Sequence, residues 1–407
     1  MKILILNNGS SSLKYNLFEM DGERTLMSGT IDRIGLDRSN HLYELEGSSP
    51  VRRDLPVNDH GQALDELFHV LMEFGPISSL DELRVIGHRV AHGGKFKDPV
   101  RINPDVISEI RRMIPFFPLH HPAIALEIEE CMQRVPNSLH IAVFDMTFHK
   151  TIPDVAAIYG LPYRYFSEKG YRRIGYHGHS NEYVTSKAAV FLKRDISELK
   201  LISCHLGNGC SITAVDSGRS IDTTMGMTSV EGLIMGTRSG SIDPGLIPVI
   251  MSEEGMTSDE LLDMLYRKSG LLGISGLSRD MREITKAAAN NDERAALALE
   301  AFCYKIKRSI GSMLMVLGGC DALIFTGGIG LHSDVVRELV LRGSERLGFS
   351  IDRNINADCS KNVNNEVVDI SSTESSTRIL VIKTFEELVM ARQCLKLAIG
   401  IENHRGV

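Results

Sequence analysis

The polar residues of this chain that could act on a ligand gather in a few short stretches. NNGSSSLKY, starting at Asn7, follows an apolar run and offers Asn7, Ser10, Ser12 and Lys14 around a single glycine. HLGNGCS, from His205, and TGGIG, from Thr326, are two more glycine-rich turns, each directly after an apolar run. Glycine lets main-chain N–H groups approach an anion closely, and serine or asparagine side chains add donors with little bulk. One such turn is as easily a plain hairpin; three of them after three apolar runs favour a nucleotide. Alternation from Ser12 puts Ser12 and Lys14 on one strand face, where the ammonium could reach a phosphate.

A second group sits where apolar runs end. IGHRVAHGG holds Arg89, AVFDMTFH ends in Asp145, and GTRSGSIDPG places Arg238 between glycines. The carboxyl ends of strands are where open α/β sheets bind ligands. Two guanidinium groups and a carboxylate suit a small anionic acceptor, because guanidinium grips a carboxylate through two bonds and also neutralises charge on a transferring phosphoryl group. For Arg89 alone, a core pairing with Asp145 or another acid is an equal reading. HGGKF has the Gly-Lys pair of a P-loop without its first glycine or its Ser/Thr, and GNGCSI lacks the third glycine of a dinucleotide fingerprint. His88 and His92, in HRVAH, are spaced like zinc ligands but lack the intervening glutamate and look strand-borne, so metal ligation there is not expected. His177 in YHGHS sits in a glycine-flanked loop, and Asp280 in SRDMRE reads first as a helix cap.

These residues need a scaffold of strands and helices to hold them. Strand-like runs (KILILN, SLKYNLF, LRVIGHRV, LHIAVFD, LISCHLG, SITAVD, ALIFTG, RILVIK) alternate with helical periodicity in PDVISEIRRMI, HPAIALEIEECMQRV, NEYVTSKAAVFLKR, SDELLDMLYRKSG, DERAALALEAFCYKIKRSIGSML, SDVVRELVLRGSERLG and EELVMARQCLKLAIG. That interleaving predicts an α/β protein with helices on mixed sheets. ILILNNGSSSLKYNLFEMDG and LISCHLGNGCSITAVDSGRS share one plan of strand, polar turn, strand and charged turn. The echo is what a duplicated fold of two similar lobes facing across a cleft would leave, and chance would leave it equally well. DRSNHLYELEGSSP and SSTESSTR read as the least core-like stretches.

The chain has 407 residues, 43% of them hydrophobic, and a net charge of -7 from 45 Lys+Arg and 52 Asp+Glu. It can bury a large core, and nothing global favours nucleic acid or an anionic membrane. The run MKILIL is too short for the apolar part of a signal peptide, and no apolar stretch escapes interruption, so a cytoplasmic location is expected. Seven cysteines scattered without a CxxC pair read as reduced core thiols rather than disulfides or a zinc site.

Together NNGSSSLKY, GHRVAHGG, FDMTFH, YHGHS, HLGNG, MGTRSG, KSGLLGISGLS and TGGIG resemble, in order and over nearly the whole chain, the acetate and propionate kinases of the acetokinase family, within the sugar kinase, Hsp70 and actin superfamily. The resemblance implies two actin-like (ribonuclease H-like) lobes, residues 1–147 with 383–407 and residues 148–382, the second binding nucleotide and forming a homodimer. It implies reversible phosphoryl transfer from ATP to acetate, with Asn7 and Glu386 holding magnesium, or manganese in its place. Ser10, Ser12 and Lys14 would line the phosphate site, and Arg89 and Arg238 would bind the carboxyl and phosphoryl groups. Asp145 would act as acid/base or position the acceptor, and His177 would stabilise the transition state. His205, Leu206, Gly207, Asn208 and Gly209 would wrap the ATP phosphates. Asp280, Met281 and Arg282 would contact the nucleotide, and Gly328, Ile329, Gly330, Leu331 and His332 would flank it. Ala91, Leu119, Tyr176 and Ser229 would line the acyl pocket.

The chain departs from the family pattern at several points. Leu331 and His332 replace the usual Glu-Asn after TGGIG, Phe385 replaces an Asn, His179 and Asn181 alter the loop after His177, and Ser229 and Tyr176 replace a proline and a phenylalanine. Ala91 stands where acetate kinases commonly carry valine; the missing methyl groups would widen the acyl pocket by about one carbon, worth roughly 1 to 3 kcal/mol of discrimination. Propionate is therefore the alternative acid. A catalytically altered nucleotide-binding protein and a sugar kinase are further alternatives, the latter disfavoured because paired arginines suit a carboxylate better than a hydroxyl.

Overall fold

The computed structural model describes residues 1–9, 11–36, 38–117, 121–361 and 367–405. The chain divides into two compact units, Met1–Thr147 with Phe385–Val407, and Phe148–Thr384.

The first unit has an eight-stranded sheet among the described residues: β1 (Lys2–Asn8), β2 (Ser12–Glu19), β3 (Arg24–Asp32), β4 (Ser39–Leu45), β5 (Val51–Leu55), β6 (Val85–Val90), β7 (Val100–Arg101) and β8 (Leu139–Phe144), in the order β5-β4-β3-β2-β1-β6-β8-β7. β1 pairs antiparallel with β2 and parallel with β6, and β6 pairs parallel with β8. Ile3 to Leu6 of β1 are fully buried on both faces, as a central strand requires. On one face Leu4, Leu6, Leu13, Tyr15 and Leu17 pack with Leu64, Leu67 and Leu71 of the helix His60–Glu73, whose first turn is capped by Asp59. The helix Glu386–Arg405 covers the other face. A Cβ at Gly87 would lie 2.6 Å from both Cys394 Sγ and Ile5 Cδ1, so the helix and β6 approach too closely for a side chain there.

The second unit carries β9 (Lys200–Leu206), β10 (Cys210–Asp216), β11 (Arg219–Thr223), β12 (Ala322–Thr326), β13 (Val367–Asp369) and β14 (Arg378–Ile382), ordered β11-β10-β9-β12-β14-β13. β9 pairs antiparallel with β10 and parallel with β12, which pairs parallel with β14. The helix Glu293–Leu317, started by Asp292 and ended by Gly318 at φ +65°, packs on β9 and β10; the helix Gly178–Leu192 packs on β9, β12 and β14.

The two sheets therefore repeat one arrangement, an antiparallel hairpin and its neighbour followed by two parallel strands, around β1–β2 in one unit and β9–β10 in the other. This is the mixed α/β architecture expected, with the echoing segments as the corresponding hairpins. Two stretches differ from the sequence reading. DRSNHLYELEGSSP contains β4, where Ser39, His41 and Tyr43 are buried because the His41 ring bonds the Tyr15 hydroxyl at 2.8 Å and Glu66 at 3.0 Å. SDELLDMLYRKSG is not one helix: an α-turn Ser258–Asp263 widens into a π-turn Met264–Lys268 before the short helix from Gly270. All seven cysteines are free thiols.

Candidate functional site

In the first unit, parallel pairing carries three polar residues to one sheet face. Ile5 registers with Gly87 and Arg89 with Val143, so Asn7 and Arg89, each next to last in β1 and β6, and Asp145, just past β8, stand side by side at the carboxyl ends of these strands. Arg89 donates from Nη1 to Asn7 Oδ1 at 3.2 Å and from Nη2 to Asp145 Oδ2 at 2.5 Å. Its side chain is 20% exposed and that of Asp145 only 2%. Burial works against the Arg89 charge, but Asp145, Glu386 and Glu387 outweigh it and raise the guanidinium above its usual basicity. Those two glutamates open the helix Glu386–Arg405, which places its first turn by Arg89. Lys14 pairs with Asn7 across the β1–β2 hairpin, so Ser12 and the exposed Lys14 share its face. Ala91 lies just past the end of β6, buried. Ser10 and Leu119 lie outside the described residues.

In the second unit, His177 caps the helix Gly178–Leu192 with a left-handed backbone at φ +57°, a conformation unusual for a residue with a Cβ and typical of constrained sites. Its ring stacks on that of His205 with centroids 4.0 Å apart and planes at 18°. A serine holds each imidazole: Ser211 Oγ is 2.9 Å from His177 Nδ1, and Ser180 Oγ is 2.8 Å from His205 Nδ1. A Cβ on Gly209 would stand 3.2 Å from His177 Nε2 and 3.4 Å from Arg238 Nη1, so the glycine leaves open the space where these two groups converge. Arg238 also donates to the Ser229 carbonyl at 3.2 Å, which gives Ser229 a main-chain role.

The two glycine turns of the second unit lie together. A Cβ added at Gly207 would stand 4.0 Å from the Gly328 amide nitrogen, and Gly236 N–H donates to the Asn208 carbonyl at 3.2 Å. Gly328 to His332 belong to a one-turn helix, Gly327–His332, directly after β12, with Gly327 at φ +76° against Leu206. Asp280 is the cap of the helix Met281–Ala289, accepting from the Arg282 amide at 2.9 Å, and its pairing with Arg282 lowers its pKa. The Arg282 side chain is largely exposed, while the Met281 side chain is buried towards the core. The Tyr176 hydroxyl donates to the Met227 carbonyl at 2.7 Å.

Residues 2–392 match the acetokinase family. The chain belongs to that family. It is 47% identical to an acetate kinase of Geobacillus kaustophilus over 98% of this chain and 99% of that protein. Identity to an acetate kinase of Caldanaerobacter subterraneus is 44%, over 99% and 100% of the two chains. Among solved structures it resembles an acetate kinase of Porphyromonas gingivalis (TM-score 0.87, 37% identical, 98% and 99% covered) and a propionate kinase of Francisella tularensis (TM-score 0.89, 37% identical, 97% and 99% covered).

As an acetokinase the chain uses ATP and a small carboxylate, and among the described residues no helix is long and apolar enough to cross a membrane. The groups that support these candidate residues carry no signal of their own in the sequence. Ser180 and Ser211 are an ordinary helix serine and an ordinary strand serine until the fold turns them towards His205 and His177. Arg337 is fully buried and donates to the Gly330 and Leu331 carbonyls at 2.7 and 2.9 Å and to Asn356 Oδ1 at 2.7 Å. It ties the glycine turn carrying Leu331 and His332 to the helix Arg353–Lys361, a role that its helical sequence context does not disclose.

Proposed function

We propose that the chain is an ATP-dependent acetate kinase that transfers the terminal phosphoryl group of ATP reversibly to acetate, giving acetyl phosphate and ADP. The observation that carries this reading is Arg89, a guanidinium fixed by Asn7 and Asp145 at adjoining strand ends, with donor capacity left for an anion. A carboxylate is already a nucleophile, so the protein has little deprotonation to perform; catalysis rests on in-line positioning and on neutralising charge at the transferring group.

Arg89 binds the acceptor carboxylate, and Asp145 orients Arg89 and offsets its charge. Ser10, Ser12 and Lys14 line the path of the phosphoryl group. His177, through Nε2, and Arg238, through Nη1, donate towards the phosphoryl oxygens at the space Gly209 leaves open. The main chain from His205 to Gly209 cradles the donor phosphates; Asp280 to Arg282 and Gly328 to His332 flank the nucleoside. The Asn7 amide oxygen and the Glu386 carboxylate are hard oxygen donors beside Arg89 and fit magnesium, with manganese as a substitute. When bound, that ion shields phosphate charge. The domain division at residues 1–147 with 383–407 and 148–382, a homodimer and a cytoplasmic location belong to the same reading and are supported by the resemblance.

Incubation with ATP, magnesium and acetate, with hydroxylamine to trap acyl phosphate, yields acetohydroxamate if this reading holds; no hydroxamate from any short-chain acid would sink it. Propionate is the second reading, favoured by the small Ala91 two residues after Arg89 and by the likeness to the Francisella tularensis propionate kinase.

A further inference from the structure

Four donor-bearing side chains meet in the interior of the first unit: His88 on β6, His140 on β8, and Glu127 and Cys131 one turn apart on the helix His121–Arg134. None is more than 4% exposed. One ligand atom from each of His88, Cys131 and His140 lies within 4.8 Å of the other two. They occupy the sheet face opposite Arg89, away from the residues assigned to phosphoryl transfer.

The hydrogen bonds decide which atoms face the cluster. His140 Nε2 is 2.9 Å from the Val135 carbonyl, which can only accept, so that nitrogen carries the proton and Nδ1 presents a lone pair. His88 Nδ1 is 3.0 Å from Glu127 Oε1, a carboxylate acceptor that holds the proton on Nδ1 and leaves Nε2 as the inward atom. His88 Nε2 and His140 Nδ1 then face one another at 3.0 Å. Two lone pairs at that distance repel unless something positive lies between them. A carboxylate or carbonyl behind each ring is also the arrangement that fixes tautomer and orientation for metal-ligating histidines.

We propose that His88 Nε2, His140 Nδ1 and Cys131 Sγ form a site for a thiophilic divalent cation, zinc by preference, with Glu127 positioning His88. Zinc–nitrogen bonds of about 2.0 to 2.1 Å at a tetrahedral angle put two nitrogens about 3.3 Å apart, a small opening of the observed pair. Nitrogen and sulfur donors select zinc over magnesium. Binding releases two protons, that of the Cys131 thiol and the one shared between the two rings. The cation's two charges then balance the thiolate and the Glu127 carboxylate, so the dry site stays neutral. Occupancy would tie β6, β8 and the helix His121–Arg134 together behind the strand ends that carry Arg89 and Asp145.

The test is cobalt and zinc binding to the whole protein, purified from cells grown with each metal and assayed in excess magnesium. One cobalt per chain, with near-ultraviolet thiolate charge-transfer absorption that zinc growth abolishes, is expected. Cys131→Ala should lose that absorption while remaining folded by circular dichroism, and His140→Val should lower the bound metal at least tenfold. Wild-type protein with no thiolate band, or equal metal in wild type and Cys131→Ala, overturns the site and leaves a proton-bridged histidine pair. Because metal content and spectrum are read, the outcome is independent of kinase activity.

Discussion

The hydroxyl of Ser211 holds Nδ1 of His177 at 2.9 Å, and Ser211 itself pairs with His205 across the β9–β10 hairpin. One strand residue thus reaches one member of the stacked imidazole pair through its side chain and the other through its backbone register. The bond leaves Nε2 of His177 as the atom turned towards Gly209. Ser211→Ala is expected to lower kcat about tenfold with little change in KM for ATP or acetate, because the ring loses its orientation while both binding sites stay intact. Steady-state kinetics with a melting curve checks this; unchanged kcat in a folded variant removes the positioning role.

Arg89→Ala is expected to cut kcat/KM for acetate by at least a hundredfold, and Arg89→Lys to recover little of it. Lysine keeps the charge but cannot donate to Asn7, Asp145 and a carboxylate from one planar fork. Asp145→Asn should behave similarly, since an amide no longer balances the Arg89 charge. The decisive measurement compares the lysine and alanine variants, and near-wild-type turnover by Arg89→Lys would mean that charge alone suffices.

Much of this was legible along the chain because it depends on local order. Apolar runs ending in Asn7, Arg89 and Asp145 mark strand ends, and strand ends of neighbouring parallel strands must lie together. The Asn-Gly-Ser turns announced the two hairpins for the same reason. What stayed hidden depends on long-range pairing. β4 is written in polar letters because His41 and Ser39 are satisfied by Tyr15, Glu66 and the Val57 and Arg33 carbonyls, partners that periodicity cannot supply. His88 read as one of a pair with His92, yet strand alternation turns His88 towards His140 and Glu127, while His92 packs with Phe117.

His92 and His121 each stack on Phe117, and burial lowers His92 to about 3 and His121 to about 4. Both are bound as neutral rings: Gly94 N–H donates to His92 Nδ1, and His121 Nδ1 donates to the Ile110 carbonyl. An unfolded chain protonates them near pH 6.5, so their contribution to stability is full above that value and is lost as pH falls towards 4. Across that window a single such ring is worth roughly 3 kcal/mol. His121→Asn keeps a donor for Ile110 and cannot titrate, so urea unfolding at pH 7.5 and pH 5 should show a smaller acid loss than in the wild type.

Ala91→Val tests the acid preference. If Ala91 borders the acyl pocket, two added methyl groups should lower kcat/KM for propionate by roughly 10- to 100-fold while acetate changes by less than threefold, in line with what one methylene is worth in an apolar site. Equal losses for both acids would place Ala91 outside the pocket and make the change one of packing, since the residue is buried.

Arg337 offers the sharpest separation of binding from chemistry. Its guanidinium, buried and lowered in basicity chiefly by that burial, spans the Gly330 and Leu331 carbonyls and both the Oδ1 and main-chain oxygens of Asn356. Arg337→Met fills a similar volume but leaves these acceptors without their donor. Each unpaired buried acceptor costs about 1 to 3 kcal/mol, offset in part because a desolvated cation is also removed, so a net loss of roughly 3 to 5 kcal/mol is expected. Arg337→Lys should fare little better, as one ammonium cannot reach acceptors on two elements. The turn it anchors carries Gly328 to His332, so KM for ATP should rise several-fold in either variant while KM for acetate stays near the wild-type value. Parallel changes in both constants would show that the damage is global unfolding and that the turn does not serve the nucleotide.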